Sequence, residues 1–189
     1  MTGLNSIGLN NIEDIERLYA TRGGLHYGEG VTQIEHALQC AALAEAEDCP
    51  PSLVVAALLH DIGHLFEKDE NLAKTGVDDR HETVGARTLK RFFGDAVSRP
   101  IALHVAAKRY LCLIVPQYSS GLSPASQSSL VLQGGPFNQA QAVAFERASY
   151  WQDAVKLRRF DDMGKRDRIS RRDFSSYLPM MRNLLSAAG

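Results

Sequence analysis

The stretch His60-Asp61-Ile62-Gly63-His64 sets two strong metal ligands side by side, directly behind an uncharged apolar run, residues 52–59. A charged aspartate at the end of such a run is costly unless something compensates it. A metal ion does so, taking one imidazole and one carboxylate that can bridge two ions. The plainer alternative is a capped helix end with a satisfied core histidine.

Histidine spacing extends the metal reading. All six histidines lie between residues 26 and 104. From His36 to Asp48 a helix climbs about 18 Å, and from Pro51 back to His60 about 14 Å, so the two histidines finish near one height on antiparallel neighbours. His81 to Phe93 climbs about 18 Å and Ala96 to His104 returns about 12 Å. Two hairpins can therefore each deliver two imidazoles to the same end of a helical bundle. Four imidazoles plus Asp61 exceed a closed zinc site and leave room for two ions. A last carboxylate must come from far along the chain, from Asp153 or from the pair Asp161 and Asp162. Periodicity does not choose among the three.

The elements that must position these groups are helical nearly throughout. Ile12 to Tyr19 reads as a short helix. Thr32 and Glu35 form a capping box that starts a helix through His36, Cys40 and Ala46. Cys49-Pro50-Pro51 breaks it, and Ser52 to His60 forms the next helix, ended by Gly63. Asp78 and Asp79 can cap a helix from about Arg80 to Phe93. Gly94-Asp95 then turns the chain into a helix over Ala96 to Ala107. Residues 118–129 read as a polar, serine-rich connection, followed by Leu130 to Gln133. Asn138 caps a helix carrying Phe145, Tyr150 to Phe160 continues helically, and Pro179 to Ala187 is terminal. The expected class is all-α, one domain over residues 1–189.

Bulk properties exclude several functions. With 189 residues, 44% hydrophobic and 23% charged, the composition is that of an ordinary globular chain. A net charge of −1 does not suit a polyanion binder or a membrane-surface protein. Residues 165–172 carry interleaved charges and read as a solvated surface segment rather than a nucleic-acid contact. Cys40, Cys49 and Cys112 form an odd, unpatterned set, which suits free thiols in a reducing, cytoplasmic setting. There is no signal-peptide pattern and no apolar run near the roughly 18 residues of a membrane span. Oligomeric state is not legible.

The constellation His36…His60-Asp61…Asp161 resembles the HD-domain superfamily, whose core is an all-helical bundle; His81 and His104 resemble its two-metal members. Residues 28–40, 57–64, 132–136 and 157–162 look more narrowly like the organophosphonate oxygenases of the PhnZ type. These are mixed-valent diiron enzymes related to myo-inositol oxygenase. The resemblance covers about residues 25–165. It implies two Fe ions, mixed-valent Fe(II)/Fe(III). His36, His60, Asp61 and Asp161 would surround one, and His81, His104 and the bridging Asp61 the other. Asp161 rather than Asp162 follows because the family's ligand directly succeeds the aromatic residue of the motif, here Phe160.

By the same resemblance His64 and Lys108 contact the phosphonate, with Ser126, Ser129 and Gln133 as further candidates. Cationic and N–H donors suit that dianion. Glu29 matches a family residue that closes over the iron with a tyrosine three positions earlier. Here that position holds His26, and Tyr27 stands one residue nearer, so either can serve. The implied activity is O2-dependent cleavage of the C–P bond in a 1-hydroxy-2-(amino or trimethylammonio)ethylphosphonate, releasing phosphate and glycine or glycine betaine. A trimethylammonium favours aromatic faces, for which Tyr27, Tyr110, Tyr118, Phe137 and Trp151 are candidates. The main rival is an HD phosphohydrolase that attacks a phosphate ester or nucleotide with metal-generated hydroxide. A non-catalytic metal-binding domain is the third possibility.

Overall fold

The computed structural model describes residues 8–26, 30–66, 80–165 and 172–187. Its centre is the apolar run read above. Helix α1 (Ile12–Arg22) and α2 (Gln33–Ala46) precede it, and α3 (Pro51–Leu59) is the run itself. Every residue of α3 from Leu53 to Leu59 is buried. A helix apolar on all sides has no solvent face to offer, so it lies inside. α3 packs against α2, α5, α8 and α9. Pro51 opens it at the first helical position, where the missing N–H costs nothing. The Thr32–Glu35 capping box forms at the start of α2, with the Thr32 N–H donating to the Glu35 carboxylate at 2.8 Å. Such caps stabilise a helix by about 1 kcal/mol.

After α3 the chain makes a 3-10 turn, Ile62–Phe66. Then follow α4 (His81–Phe93), α5 (Asp95–Ile114), α6 (Pro124–Leu132), α7 (Gln139–Glu146), α8 (Trp151–Met163) and α9 (Leu178–Ala187). No strand occurs among the described residues. α4 and α5 form one hairpin and α2 and α3 another, while α8 lies across α5 and α2. α1 packs on α2 and α9, and its buried Tyr19 stacks on Phe174, just before α9, with ring centroids 4.6 Å apart. Among the described residues no helix is long and apolar enough to cross a membrane.

Several boundaries differ from the sequence expectation. α5 continues seven residues past Ala107, because Ala107, Tyr110 and Leu111 keep an apolar face buried and no breaker intervenes. Its stop is Val115, held extended (φ −108°, ψ 115°) ahead of Pro116. The expected serine-rich connection holds a helix instead. Ser123 caps α6 by accepting from the Ser126 N–H at 3.1 Å, and Pro124 supplies a preset first turn. α8 runs three residues beyond Phe160 and so includes Asp161 and Asp162. Gly63 does not stop α3, which ends at Leu59; a Cβ there would lie 2.1 Å from the His81 carbonyl oxygen, so its bareness serves a close approach. The expected cap at Asp78 and Asp79 lies outside the described residues.

Candidate metal centre

The two hairpins bring their histidines to one place. His36 Nε2 lies 3.2 Å from His60 Nε2, and His81 Nε2 lies 3.3 Å from His104 Nε2. Asp61 stands between the pairs. Its Oδ1 is 3.4 Å from His60 Nε2, 3.5 Å from His81 Nε2 and 3.7 Å from His104 Nε2, and its Oδ2 is 3.7 Å from His36 Nε2. α8 adds Asp161, whose Oδ1 lies 3.4 Å from His36 Nε2 and 3.9 Å from His60 Nε2.

The carboxylate left open by sequence is thereby distinguished by position. Asp162 pairs instead with Arg158 and accepts from the Tyr118 hydroxyl. Asp153 sits in the first turn of α8, more than two helical turns from Asp161, in the field of Cys49.

Backbone carbonyls set the imidazoles. His36 Nδ1 donates to Gly164 O at 3.1 Å, His60 Nδ1 to Ala57 O at 2.9 Å and His104 Nδ1 to Ile101 O at 2.8 Å. A carbonyl only accepts, so each Nδ1 carries the proton and each Nε2 lone pair faces inward. Burial, with His81 and His60 nearby, holds His104 well below its ordinary pKa, so it is a neutral donor. Burial works the same way on His60, but Asp61 and Asp161 outweigh it and raise that group. Burial pushes Asp161 up, but Arg158 and Lys165 prevail and hold its carboxyl well below the usual range. Asp61 is likewise lowered, by His60, His64 and His81 against burial.

This donor set fits a pair of cations. Asp161 Oδ1 is buried without a hydrogen bond, facing the Nε2 of His36 and His60 on one side and the Lys165 ammonium, 3.2 Å away, on the other. Nitrogen lone pairs and carboxylate oxygens crowded at such distances repel or compete for protons unless cations sit between them. Imidazole and carboxylate suit iron, manganese, zinc or cobalt.

Cys40 also borders the centre, 3.7 Å from His36 Nε2. Burial, Asp161 and Asp61 push its thiol pKa well up, and it donates to Phe160 O at 3.4 Å, so it packs as a thiol.

Beside Asp161 lies a cluster of cationic side chains. Lys108 is 2% exposed, and its Nζ donates to Ser129 Oγ at 2.8 Å. Ser126, one turn earlier on α6, accepts from Lys165 Nζ at 2.9 Å and Arg158 Nη2 at 3.3 Å. Arg158 Nη1 donates to Asp161 Oδ2 at 2.6 Å, and Lys165 Nζ lies 3.2 Å from Asp161 Oδ1. Burial, then Arg158, lowers the Lys108 pKa to about 8.

Sequence reasoning placed Lys108, Ser126 and Ser129 together and missed Arg158 and Lys165. The lysine opens a charged run expected to be solvated, yet its side chain is only 14% exposed. The rest of that run, residues 166–171, is outside the described residues. The available signal for Arg158 was its position three residues before Asp161 on one helical face.

The remaining candidates are placed as follows. His64 stacks on His81, with centroids 3.9 Å apart and planes at 21°. Gln133 follows α6 as its C-terminal cap, and its Oε1 is buried without a hydrogen-bond partner. Tyr27 and Glu29 lie outside the described residues, and His26 is exposed. Tyr110, Phe137 and Trp151 pack with Phe145 at centroid distances of 5.0 to 6.0 Å, so these rings stack on one another. The Tyr118 hydroxyl is engaged by Arg158 and Asp162.

Known proteins share this frame. Residues 34–127 match the HD domain, a span that includes all four converging histidines, Asp61 and Lys108. The chain is 45% identical over 168 residues to the hydroxymethylphosphonate dioxygenase of Gimesia maris, covering 88% of this chain and 84% of that protein. It is 38% identical over 178 residues to the glycine-betaine-forming [1-hydroxy-2-(trimethylamino)ethyl]phosphonate dioxygenase of Leisingera caerulea, covering 93% and 91%. With such identity over most of both lengths, the chain belongs to the HD-domain family that contains these phosphonate dioxygenases.

Proposed function

We propose that this protein is a two-iron dioxygenase that cleaves the C–P bond of a small 1-hydroxyphosphonate. The 1-hydroxy-2-(amino or trimethylammonio)ethyl compounds and hydroxymethylphosphonate share that reacting core. The overall change consumes one O2, leaves C1 as a carboxylate (glycine or glycine betaine from the ethyl compounds) and releases phosphorus as phosphate. The observation that carries the reading is a two-cation donor set lying against a buried cluster of cationic side chains, joined through Asp161.

His36, His60, Asp161 and Asp61 would hold one iron, and Asp61, His81 and His104 the other. The iron pair, when bound, supplies the redox capacity toward O2 that no side chain has. The chain's own residues bind and orient. Lys108 is cationic at neutral pH despite its lowered pKa and lies where a phosphonate dianion needs a donor. The Ser126 and Ser129 hydroxyls accept from Arg158 and Lys108 in the same cluster. Arg158 keeps the Asp161 carboxylate aimed at His36 while its charge belongs to the same cluster. His64, stacked on His81, sets a further imidazole at the edge of the centre.

The test is iron-reconstituted protein offered hydroxymethylphosphonate, 1-hydroxy-2-aminoethylphosphonate and its N-trimethyl form, with O2 uptake and phosphate release followed together. Equal uptake and release is expected, and loss of both in His81→Ala or His104→Ala. Anaerobic release of phosphate from a phosphate ester, with no O2-dependent turnover, would establish the hydrolase reading instead.

A further inference from the structure

α6 carries both serines of the cationic cluster, yet little apolar contact holds it to the bundle. Of its nine residues only Ser126 and Leu130 are buried, while Val131 is 76% exposed. One buried leucine fixes a helix poorly, because helices in proteins owe most of their stability to packing an apolar face. The remaining side-chain anchors are polar: Ser129 accepts from Lys108, and Ser126 accepts from Arg158 and Lys165. Those donors are the ones a phosphonate claims on arrival, so they cannot alone set where α6 stands.

A separate anchor lies where the chain leaves α6, at Gly134 and Gly135. Both take left-handed φ, +92° and +68°, which glycine adopts without steric cost. The turn aims both carbonyls at Arg109, the residue after Lys108 on α5. Arg109 Nε donates to Gly135 O at 2.7 Å, and Nη2 donates to Gly134 O at 3.1 Å. The guanidinium also lies over the Phe137 ring, 4.7 Å from its centroid, and the Arg109 carbonyl accepts from the Phe137 N–H at 3.1 Å. A planar fork serves two neighbouring acceptors at once, which a single ammonium does not do in one fixed geometry. The Gly135 N–H returns to Leu130 O at 2.9 Å, so the turn is continuous with the helix. A Cβ on Gly134 would stand 3.2 Å from Arg109 Nη2, so the bare residue leaves the fork its room.

We propose that Arg109 is a positioning residue for the anion: by tying the Gly134–Gly135 turn to α5 beside Lys108, it holds Ser126 and Ser129 in place around the ammonium. This rests on the phosphonate reading above, in which Lys108 and the two serines receive the substrate. When the anion takes the Lys108 and Arg158 donors, the serine links are exchanged and the Arg109 tie keeps α6 where it was. Arg109 itself touches no reacting atom, and no metal ligand lies on α6. Its loss therefore weakens anion binding and leaves the metal centre as it was.

The experiment compares iron-loaded wild type, Arg109→Lys, Gly134→Ala and the double variant. Inorganic phosphate affinity is measured by calorimetry, and KM and kcat with hydroxymethylphosphonate and the two aminoethyl compounds. Arg109→Lys keeps the charge and removes the fork. Phosphate Kd and KM are expected to rise about tenfold, with kcat and iron content nearly unchanged. Gly134→Ala reaches the same tie from the other side and should do the same. The double variant should be little worse than either single one, since one tie breaks only once. Unchanged phosphate affinity and KM in Arg109→Lys would overturn the role of Arg109 and leave the phosphonate reading standing. Losses that multiply in the double variant would overturn it too, as would a fall in kcat and iron content at unchanged KM, the mark of a merely structural residue. A wild type that turns over none of the three phosphonates and binds no phosphate would overturn the phosphonate reading, and the proposal with it.

Discussion

Gly63 and His81 meet backbone to backbone: a Cβ on Gly63 would lie 2.1 Å from the His81 carbonyl oxygen and 2.7 Å from its Cα. The turn that follows Asp61 and the first residue of α4 are thus in direct contact. That contact couples one histidine pair to the other, because His60 and Asp61 hang from one side of it and His81 from the other.

Gly63→Ala must therefore push α4 away. On the proposed two-iron reading, metal analysis should give about one iron per chain in place of two, with a loss of at least about 1–3 kcal/mol in thermal or urea unfolding. Gly24→Ala, where an added Cβ meets nothing within 4 Å, should leave both measurements unchanged.

A second bare position supports His36. A Cβ on Gly164 would come within 2.6 Å of Cys40 Sγ and 3.3 Å of His36 Nδ1, beside the carbonyl that His36 uses. Gly164→Ala should weaken iron retention on the His36 and His60 side. Cys40→Ala removes the sulfur it strikes, so the double variant should recover part of the loss; a double-mutant cycle on stability and iron content measures a favourable coupling of about 0.5–3 kcal/mol.

The neighbouring aspartates separate cleanly in position. Asp161→Asn removes the carboxylate that faces His36 and His60 and should lower iron content. Asp162→Asn should keep the iron, since that side chain engages Arg158 and Tyr118, and should instead raise KM by loosening Arg158. Iron content and the split between KM and kcat distinguish the two.

Lys108 gives a pH dependence of known sign. Its pKa falls from 10.5 to about 8 on folding, so between those values the unfolded chain binds more protons and stability rises with pH. Anion binding runs the other way, because the ammonium is lost above about 8. Inorganic phosphate affinity, measured by calorimetry, should fall across that pH, and Lys108→Met should flatten both profiles.

Much of the centre is legible from local rules. A helix rises by a constant step, so the intervals His36 to His60 and His81 to His104 already dictate that each pair meets at one end of its hairpin. The all-apolar run from Leu53 to Leu59 likewise demands burial, which puts Asp61 at the end of a buried helix. Caps at Thr32 and Asn138 work within four residues and are readable as such.

What only the tertiary structure decided is whatever depends on which surfaces face each other. Asp153, Asp161 and Asp162 share one helix and one chemistry; α8 crossing α2 and α5 singles out Asp161. Lys165 has the sequence context of a solvated charge and is drawn inward by Asp161 and Ser126. The bareness of Gly63 and Gly164 has meaning only against His81 and Cys40. Periodicity and caps act over a turn or two of chain, whereas electrostatic partnership and close packing join residues more than a hundred positions apart, as with His36 and Gly164.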